Sequence, residues 1–425
     1  MHYAEAREYL AQTEERGNRL GLTSMRILLH ELNDPQDQLR FIHIAGTNGK
    51  GSVMTYLERI LLRAGYRTGR YISPVLSSYE EKIQVNGTPI GKEDLAACTG
   101  LIRDACDRIQ QKGLPLPTIF EVETAIAFLH FLENRCEIVL LETGMGGAED
   151  ATNAVSTTMM CIFSSISLDH MQFLGGDIRS IATVKSGIIK PGVLSVSDVQ
   201  CPAAREVLTQ AAARNESEIV FLEENMIRDV RYGLYAQYFT FSGYKDLCIH
   251  IPGVHQIRNC ALAVMAAERL AGMGMHISEA DIRFGIAAAV WPGRFEILRE
   301  SPFVIADGAH NEDAAVMLRR SIDLYFPGRR FYYIFGVFSD KEYDKIIDIM
   351  ADRAFRIYAV ETAGSKRALP ARELTRILLK RGLDAVCAVR VETALGLALK
   401  EAGPDDVILL FGSLSWLNEA RELLQ

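Results

Sequence analysis

Within seven residues, Gly46-Thr47-Asn48-Gly49-Lys50-Gly51-Ser52, the chain carries three glycines, a lysine and two side-chain hydroxyls. Glycines let successive backbone N–H groups turn inward around a polyphosphate. Lys50 can reach terminal phosphates, and the Ser52 hydroxyl can face a Mg²⁺ ion. The usual GxxxxGK[ST] spacing is not met, because Ile44 holds the first glycine position and Gly51 separates Lys50 from Ser52. The flanks nevertheless agree: 41–45 reads as a buried strand and 53–61 as a helix whose N-terminus favours anions. Nucleotide phosphate binding is the reading, against a merely structural turn.

Further along, the apolar run 136–141 ends in Glu142, followed by Gly144-Met145-Gly146-Gly147. A carboxylate at a strand end near a phosphate loop suits a Mg²⁺ ligand; alone, it reads equally well as a solvated strand end. His170 follows Asp169 after another apolar run. A histidine there is ordinarily a hydrogen-bonded structural residue, and magnesium prefers oxygen ligands. Lys185 lies in a helical stretch and by default reads as a surface lysine.

The elements that must position these groups alternate short apolar runs with amphipathic stretches, the pattern of parallel α/β architecture. Strands are expected at 41–45, 138–141, 160–164, 303–306, 331–335, 355–360 and 407–411. Helices are expected at 53–64, 123–132, 181–188, 259–271, 312–324 and 371–381. Residues 227–251 lack a helical period and predict a small antiparallel excursion. Trp291-Pro292-Gly293-Arg294 reads as a linker. It divides an N-terminal domain, 1–293, with a P-loop and a mostly parallel sheet, from a smaller Rossmann-like α/β domain, 294–425.

The length of 425 residues exceeds one core, and 48% hydrophobic with 24% charged residues fits a folded soluble protein. A net charge of −8 argues against nucleic acid as a partner. Eight cysteines without a CxxC pair indicate reduced thiols. No signal pattern opens the chain and no apolar stretch is long enough to span a membrane. A cytoplasmic protein, without membrane partners, is expected.

Taken together, these segments resemble the Mur ligase superfamily, and within it the folylpolyglutamate synthase/dihydrofolate synthase branch. The resemblance is carried by residues 42–52, Tyr71-Ile72-Ser73-Pro74, Thr118-Ile119-Phe120-Glu121, 141–147 and Asp150-Ala151-Thr152-Asn153. It continues through Leu168-Asp169-His170, Lys185-Ser186-Gly187-Ile188, 253–259, 292–296, Asp307-Gly308-Ala309-His310-Asn311, and Gly336 with Asp340-Lys341. By similarity, 49–52 hold ATP phosphates, while Ser73, Glu142 and His170 ligate Mg²⁺. Lys185 is implied to carry a carbamate that helps position metal, with a second Mg²⁺ as a further implied cofactor. Asn259, Arg294 and Asp307, with His310 beside them, are implied to hold the nucleotide. The pterin end is implied to lie against Leu20-Gly21-Leu22, Phe120-Glu121 and Asp150, with L-glutamate arriving from the C-terminal domain side.

The implied reaction is ATP-dependent ligation of glutamate to folate by a monomer. A carboxylate resists amines because its oxide leaves poorly. Phosphorylation makes an acyl phosphate that the glutamate amine can attack, with Lys50, Arg294 and Mg²⁺ spreading the developing charge. The family's common Arg-Leu is Ala148-Glu149 here, Arg19 and Thr23 replace acidic residues of bifunctional members, and Val184 stands where glutamate is usual. These departures put polyglutamylation of reduced folates ahead of dihydropteroate as the expected activity. Rival readings are a Mur ligase acting on a UDP-sugar peptide and a P-loop protein that binds nucleotide without ligation. About 40 residues before the loop leave little room for a UDP-binding domain, and the retained Glu142, His170, Lys185 and Arg294 disfavour a mere binder.

Overall fold

Strong strand formers in short buried runs build two mostly parallel sheets. The structure is a computed structural model, and it describes residues 1–17, 19, 21–169 and 171–424, with backbone alone for 172 and 173. The first sheet contains β1 (Phe41–Ala45), β2 (Thr68–Tyr71), β3 (Ile83–Val85), β4 (Thr88–Pro89), β5 (Ile138–Glu142), β6 (Thr158–Phe163), β7 (Ser195–Ser197) and β8 (Ile219–Phe221). Its order is β4-β3-β2-β5-β1-β6-β7-β8. The pairings from β2 to β8 are parallel, and β3 and β4 add an antiparallel edge. Every residue of β1 and β5 is buried, as expected of central strands covered on both faces.

Helices Lys50–Arg63, Lys92–Gln111 and Ile119–Glu133 accompany this sheet. The last starts from a capping box in which Thr118 and Glu121 satisfy each other's backbone donors. A core including Phe41, Tyr71, Phe128, Phe131, Val139 and Leu141 holds them together.

The excursion expected at 227–251 is present as β9 (Ile227–Arg231), β10 (Gln237–Phe241) and β11 (Tyr244–Ile249), with β10 and β11 antiparallel. The third sheet contains β12 (Glu296–Glu300), β13 (Phe303–Ala306), β14 (Phe331–Phe335), β15 (Ala354–Val360), β16 (Ala385–Val389) and β17 (Val407–Phe411). It runs β12-β13-β17-β14-β15-β16, parallel except for the antiparallel edge β12.

By compactness, 228–257 groups with 289–425, and 1–167, 171–227 and 258–288 form the other unit. Hydrogen bonds tie the excursion to the helix Glu312–Tyr325. Tyr325 donates to Gln237 Oε1 at 3.0 Å, and Ser321 Oγ accepts from Val254 N at 3.1 Å. Among the described residues, no helix is long and apolar enough to cross a membrane.

Candidate active site

The phosphate loop leaves the C-terminal end of β1 and enters the helix Lys50–Arg63 through Gly49 at φ 87°. Side chains and backbone from the exit of β6 shape it. Thr47 N donates to Ser165 O at 2.7 Å, and Thr47 Oγ1 donates to Ser167 O at 2.9 Å. Asn48 Nδ2 reaches Ser167 Oγ at 3.3 Å. Thr47 and Asn48 thus give the loop its form. Gly49 suits a close approach: a Cβ there would lie 2.6 Å from Oδ1 of the buried Asn259, which would have to shift. The sequence reading's Asn259 is therefore brought against the loop.

Two lysines converge on one carbonyl. Lys50 Nζ donates to Gly46 O at 3.2 Å and to Thr47 O at 3.3 Å, and Lys185 Nζ donates to Gly46 O at 2.7 Å. Lys185 is 5% exposed, so the default reading of a surface lysine is wrong. Its helix, Ile178–Ser186, lies against the loop after β5, where Ala148 N donates to Val184 O at 2.9 Å. Gly147 permits this approach, since a Cβ there would meet Lys185 O at 2.7 Å.

Lys50 Nζ also stands 3.7 Å from Glu142 Oε1, and Glu142 is buried at the end of β5. Strand order explains the meeting. β2, β5 and β1 are parallel neighbours, so Ser73 just past β2, Glu142 and the loop all lie at one C-terminal edge, the usual ligand side of such sheets.

Ser52 and Glu142 are buried, and with Ser73 they would offer Mg²⁺ hard oxygen donors of the kind it takes together with phosphate oxygens. Among the described residues, no group of three His, Cys, Asp or Glu side chains could hold a metal on its own. Both His170 and Leu20 lie outside the described residues.

The residues expected at the pterin end are drawn together, yet several are occupied structurally. Gly21 N donates to Glu149 O at 3.3 Å. Glu121 accepts from Ser24 Oγ at 2.7 Å, Thr118 N at 2.7 Å and Thr118 Oγ1 at 2.8 Å. Asp150 accepts from Met145 N at 2.7 Å, Thr152 N at 3.0 Å and Thr152 Oγ1 at 2.6 Å. Burial pushes the Asp150 carboxyl above its ordinary range, against the lowering effect of those donors. Half-buried Phe120 and Leu22 offer apolar surface instead, and Phe120 lies over Gly144, where a Cβ would come within 2.4 Å of its ring.

Sequence reasoning missed His43. Since the Thr152 hydroxyl donates to Asp150, His43 Nε2 carries a proton and donates to Thr152 Oγ1 at 2.9 Å. Full burial pushes its pKa down to about 3, so the ring is neutral. The one available signal was a histidine inside an apolar strand.

The second unit has its own polar cluster. Asp307, just past β13, accepts from Phe295 N at 2.9 Å and Ala309 N at 2.8 Å. Burial raises its pKa, opposed first by the Arg294 guanidinium. Arg294 lies on Gly308, where a Cβ would be 2.0 Å from Nη1. His310 Nδ1 donates to Gly308 O at 2.8 Å, and its Nε2 is 3.7 Å from Asp169 Oδ2. Asp169 accepts from Lys341 Nζ at 2.6 Å and Asn311 Nδ2 at 3.2 Å. Asp169, Asn311 and Lys341 were not singled out as site residues from sequence; the signal was motif adjacency to His170 and His310 for the first two and the segment of Gly336 with Asp340-Lys341 for the third.

The family model described as Mur ligase middle domain matches residues 44–267, and Mur ligase, glutamate ligase domain matches 293–414. The chain is 32% identical to the dihydrofolate synthase/folylpolyglutamate synthase of Bacillus subtilis over 435 residues, covering 100% of this chain and 99% of the relative. Its structure is similar to that of Mycobacterium tuberculosis folylpolyglutamate synthase complexed with ADP and AMPPCP, with a TM-score of 0.91, 29% identity and 99% of each chain covered. An FPGS–AMPPCP–folate complex matches with a TM-score of 0.86, 28% identity and 100% of each chain covered.

Proposed function

We infer the reaction from the family: the chain belongs to the Mur ligases, in their folylpolyglutamate synthase/dihydrofolate synthase branch. It is an ATP-dependent ligase that joins L-glutamate to folate. The observation that carries this reading at the site is Lys50, poised between the phosphate-loop carbonyls and Glu142.

Backbone N–H groups of 49–52 and the helix N-terminus receive the ATP phosphates. Lys50 turns from Gly46 and Thr47 towards the terminal phosphates, stabilising charge as the phosphoryl group moves to the folate carboxylate. Ser52, Ser73, Glu142 and His170 would hold Mg²⁺, which supplies charge neutralisation on the phosphate oxygens. Arg294, Asp307 and His310, with Asn259, hold the nucleotide in this reading. The glutamate amine then attacks the acyl phosphate and expels phosphate.

Lys185 is proposed to carry a carbamate. Its ammonium shares one carbonyl with Lys50, and a carbamate would replace that second cation with an anion able to face metal. We assign the phosphate loop and folate to residues 1–293, and the glutamate side, together with the nucleotide contacts of Arg294, Asp307 and His310, to 294–425. The pterin surface is proposed along Leu20–Leu22, Phe120, Glu121 and Asp150, with the last two shaping the walls. The enzyme is proposed to work as a cytoplasmic monomer; its eight unbridged cysteines suit a reducing compartment.

The deciding experiment offers purified protein ATP, Mg²⁺ and labelled glutamate, with tetrahydrofolate and dihydropteroate in separate reactions. Label incorporation with tetrahydrofolate, and ADP release that needs both folate and glutamate, are expected. Absence of incorporation with both acceptors sinks the assignment.

A further inference from the structure

Beneath the phosphate loop, Arg70 Nη1 pairs with Glu58 Oε2 at 2.8 Å, and the two side chains are 8% and 0% exposed. Removing both charges from water is costly, and apolar residues of similar volume often do as well or better for stability. A buried pair is thus weak evidence for a stabilising role, and its placement is more informative.

Glu58 lies on the same helix as Lys50, two turns along, and so on a similar face. Strand register places Arg70 beside Leu140, which puts it on the same sheet face as Glu142, a diagonal neighbour. Long side chains span such diagonals. Attraction to Glu142 acts on the Arg70 guanidinium, after the larger effects of burial, Glu58 and Arg59. On the other side, Gln84 of β3, directly across from Arg70, accepts from its Nη2. Along the helix–sheet interface the charges therefore alternate: Lys50, Glu142, Arg70, Glu58.

Lys50 Nζ is 3.7 Å from Glu142 in this structure, and in the metal–nucleotide reading it leaves Glu142 when it engages phosphate. Arg70, clamped by Glu58 and Gln84, cannot follow it. We propose that Arg70 is a positioning residue, held by Glu58 and Gln84, that keeps the Glu142 carboxylate in place for the metal when Lys50 turns to the nucleotide. The inference rests on the metal–nucleotide reading above.

The test is calorimetric binding of ATP across a Mg²⁺ titration, without folate or glutamate, alongside thermal midpoints. Arg70→Met orphans Glu58 and is expected to lower the midpoint. Glu58→Leu with Arg70→Met removes both charges and is expected to recover it. The Mg²⁺ needed for half-maximal ATP binding should still rise about tenfold in that double variant, the scale of losing a residue that orients a metal ligand. Gln84→Leu keeps both charges but loosens Arg70, and should shift the requirement in the same direction; Arg70→Lys should retain more of the parental behaviour than Arg70→Met. A parental Mg²⁺ requirement in the double variant, or in Gln84→Leu should the double variant not fold, overturns the proposal. Failure of the ligase reading would show separately, as no folate- and glutamate-dependent ADP release from the parent protein.

Discussion

Lys50 and Lys185 donate to the same acceptor, the carbonyl oxygen of Gly46, at 3.2 and 2.7 Å. One lysine opens the helix proposed to receive phosphate, and the other arrives from a helix far along the chain. Two cations on one carbonyl make a cationic floor to the loop, whose charge balance must change when nucleotide binds.

Lys185→Met should therefore lower folate-dependent ADP formation by roughly 10²-fold, the scale of losing one positioned electrostatic group. Added short-chain carboxylate should restore part of the rate if an anion on Lys185 is the working form. Steady-state kinetics with and without carboxylate provide the check, and wild-type rates in Lys185→Met would remove Lys185 from the mechanism.

Gly49→Ala should damage nucleotide binding more than folding. The substitution meets a positive φ of 87° and the Asn259 amide at 2.6 Å. The backbone penalty is about 1–2 kcal/mol, small against a whole domain. A thermal midpoint within a few degrees of the parent, with ATP affinity reduced about tenfold or more, is the expected pair of results.

Gly308→Ala is predicted to mimic Arg294→Ala. Its Cβ would sit 2.0 Å from Arg294 Nη1 and 2.6 Å from a Leu414 methyl, so the guanidinium must leave. Both variants should lose roughly 10²-fold in kcat/KM. Unchanged ATP turnover in Arg294→Ala would falsify its assignment to the nucleotide.

The acid limb of stability should carry the mark of His43. Burial keeps its folded pKa at about 3, whereas the ordinary value is 6.5. Protonation therefore favours the unfolded chain: the stabilising difference is complete above pH 6.5 and is lost as pH falls towards 3. The slope from this one group approaches about 1.4 kcal/mol per pH unit within that window. His43→Gln, which keeps a donor for Thr152 but does not titrate, should flatten that limb in denaturant unfolding between pH 6 and 4. An unaltered slope would show that other groups set it.

Local chemistry made part of this protein legible from sequence. Strands β1, β13, β14 and β17 fall where continuous apolar runs were read, because a central parallel strand buries both faces and needs no partner to announce it. The glycine-rich turn from β1 into the helix Lys50–Arg63 was equally legible as a turn, since its glycines answer to backbone geometry within a few residues.

Other features were decided only by sheet order and long-range packing. Lys185 read as a surface residue because one lysine in an amphipathic helix says nothing about which face meets the loop after β5. Glu121 and Asp150 are expected at the pterin end from sequence, but that their oxygens also accept from Ser24, Thr118, Met145 and Thr152 depends on packing that no local pattern shows. The excursion 228–257 precedes the linker in sequence yet groups with residues that follow it. Ser73, Glu142 and Lys50, like Arg70 and Glu58, come together only through the crossovers that set β2, β5 and β1 side by side. A linear pattern records which way a side chain faces along its own element; its neighbour across the sheet depends on how distant segments pair, which no local period encodes.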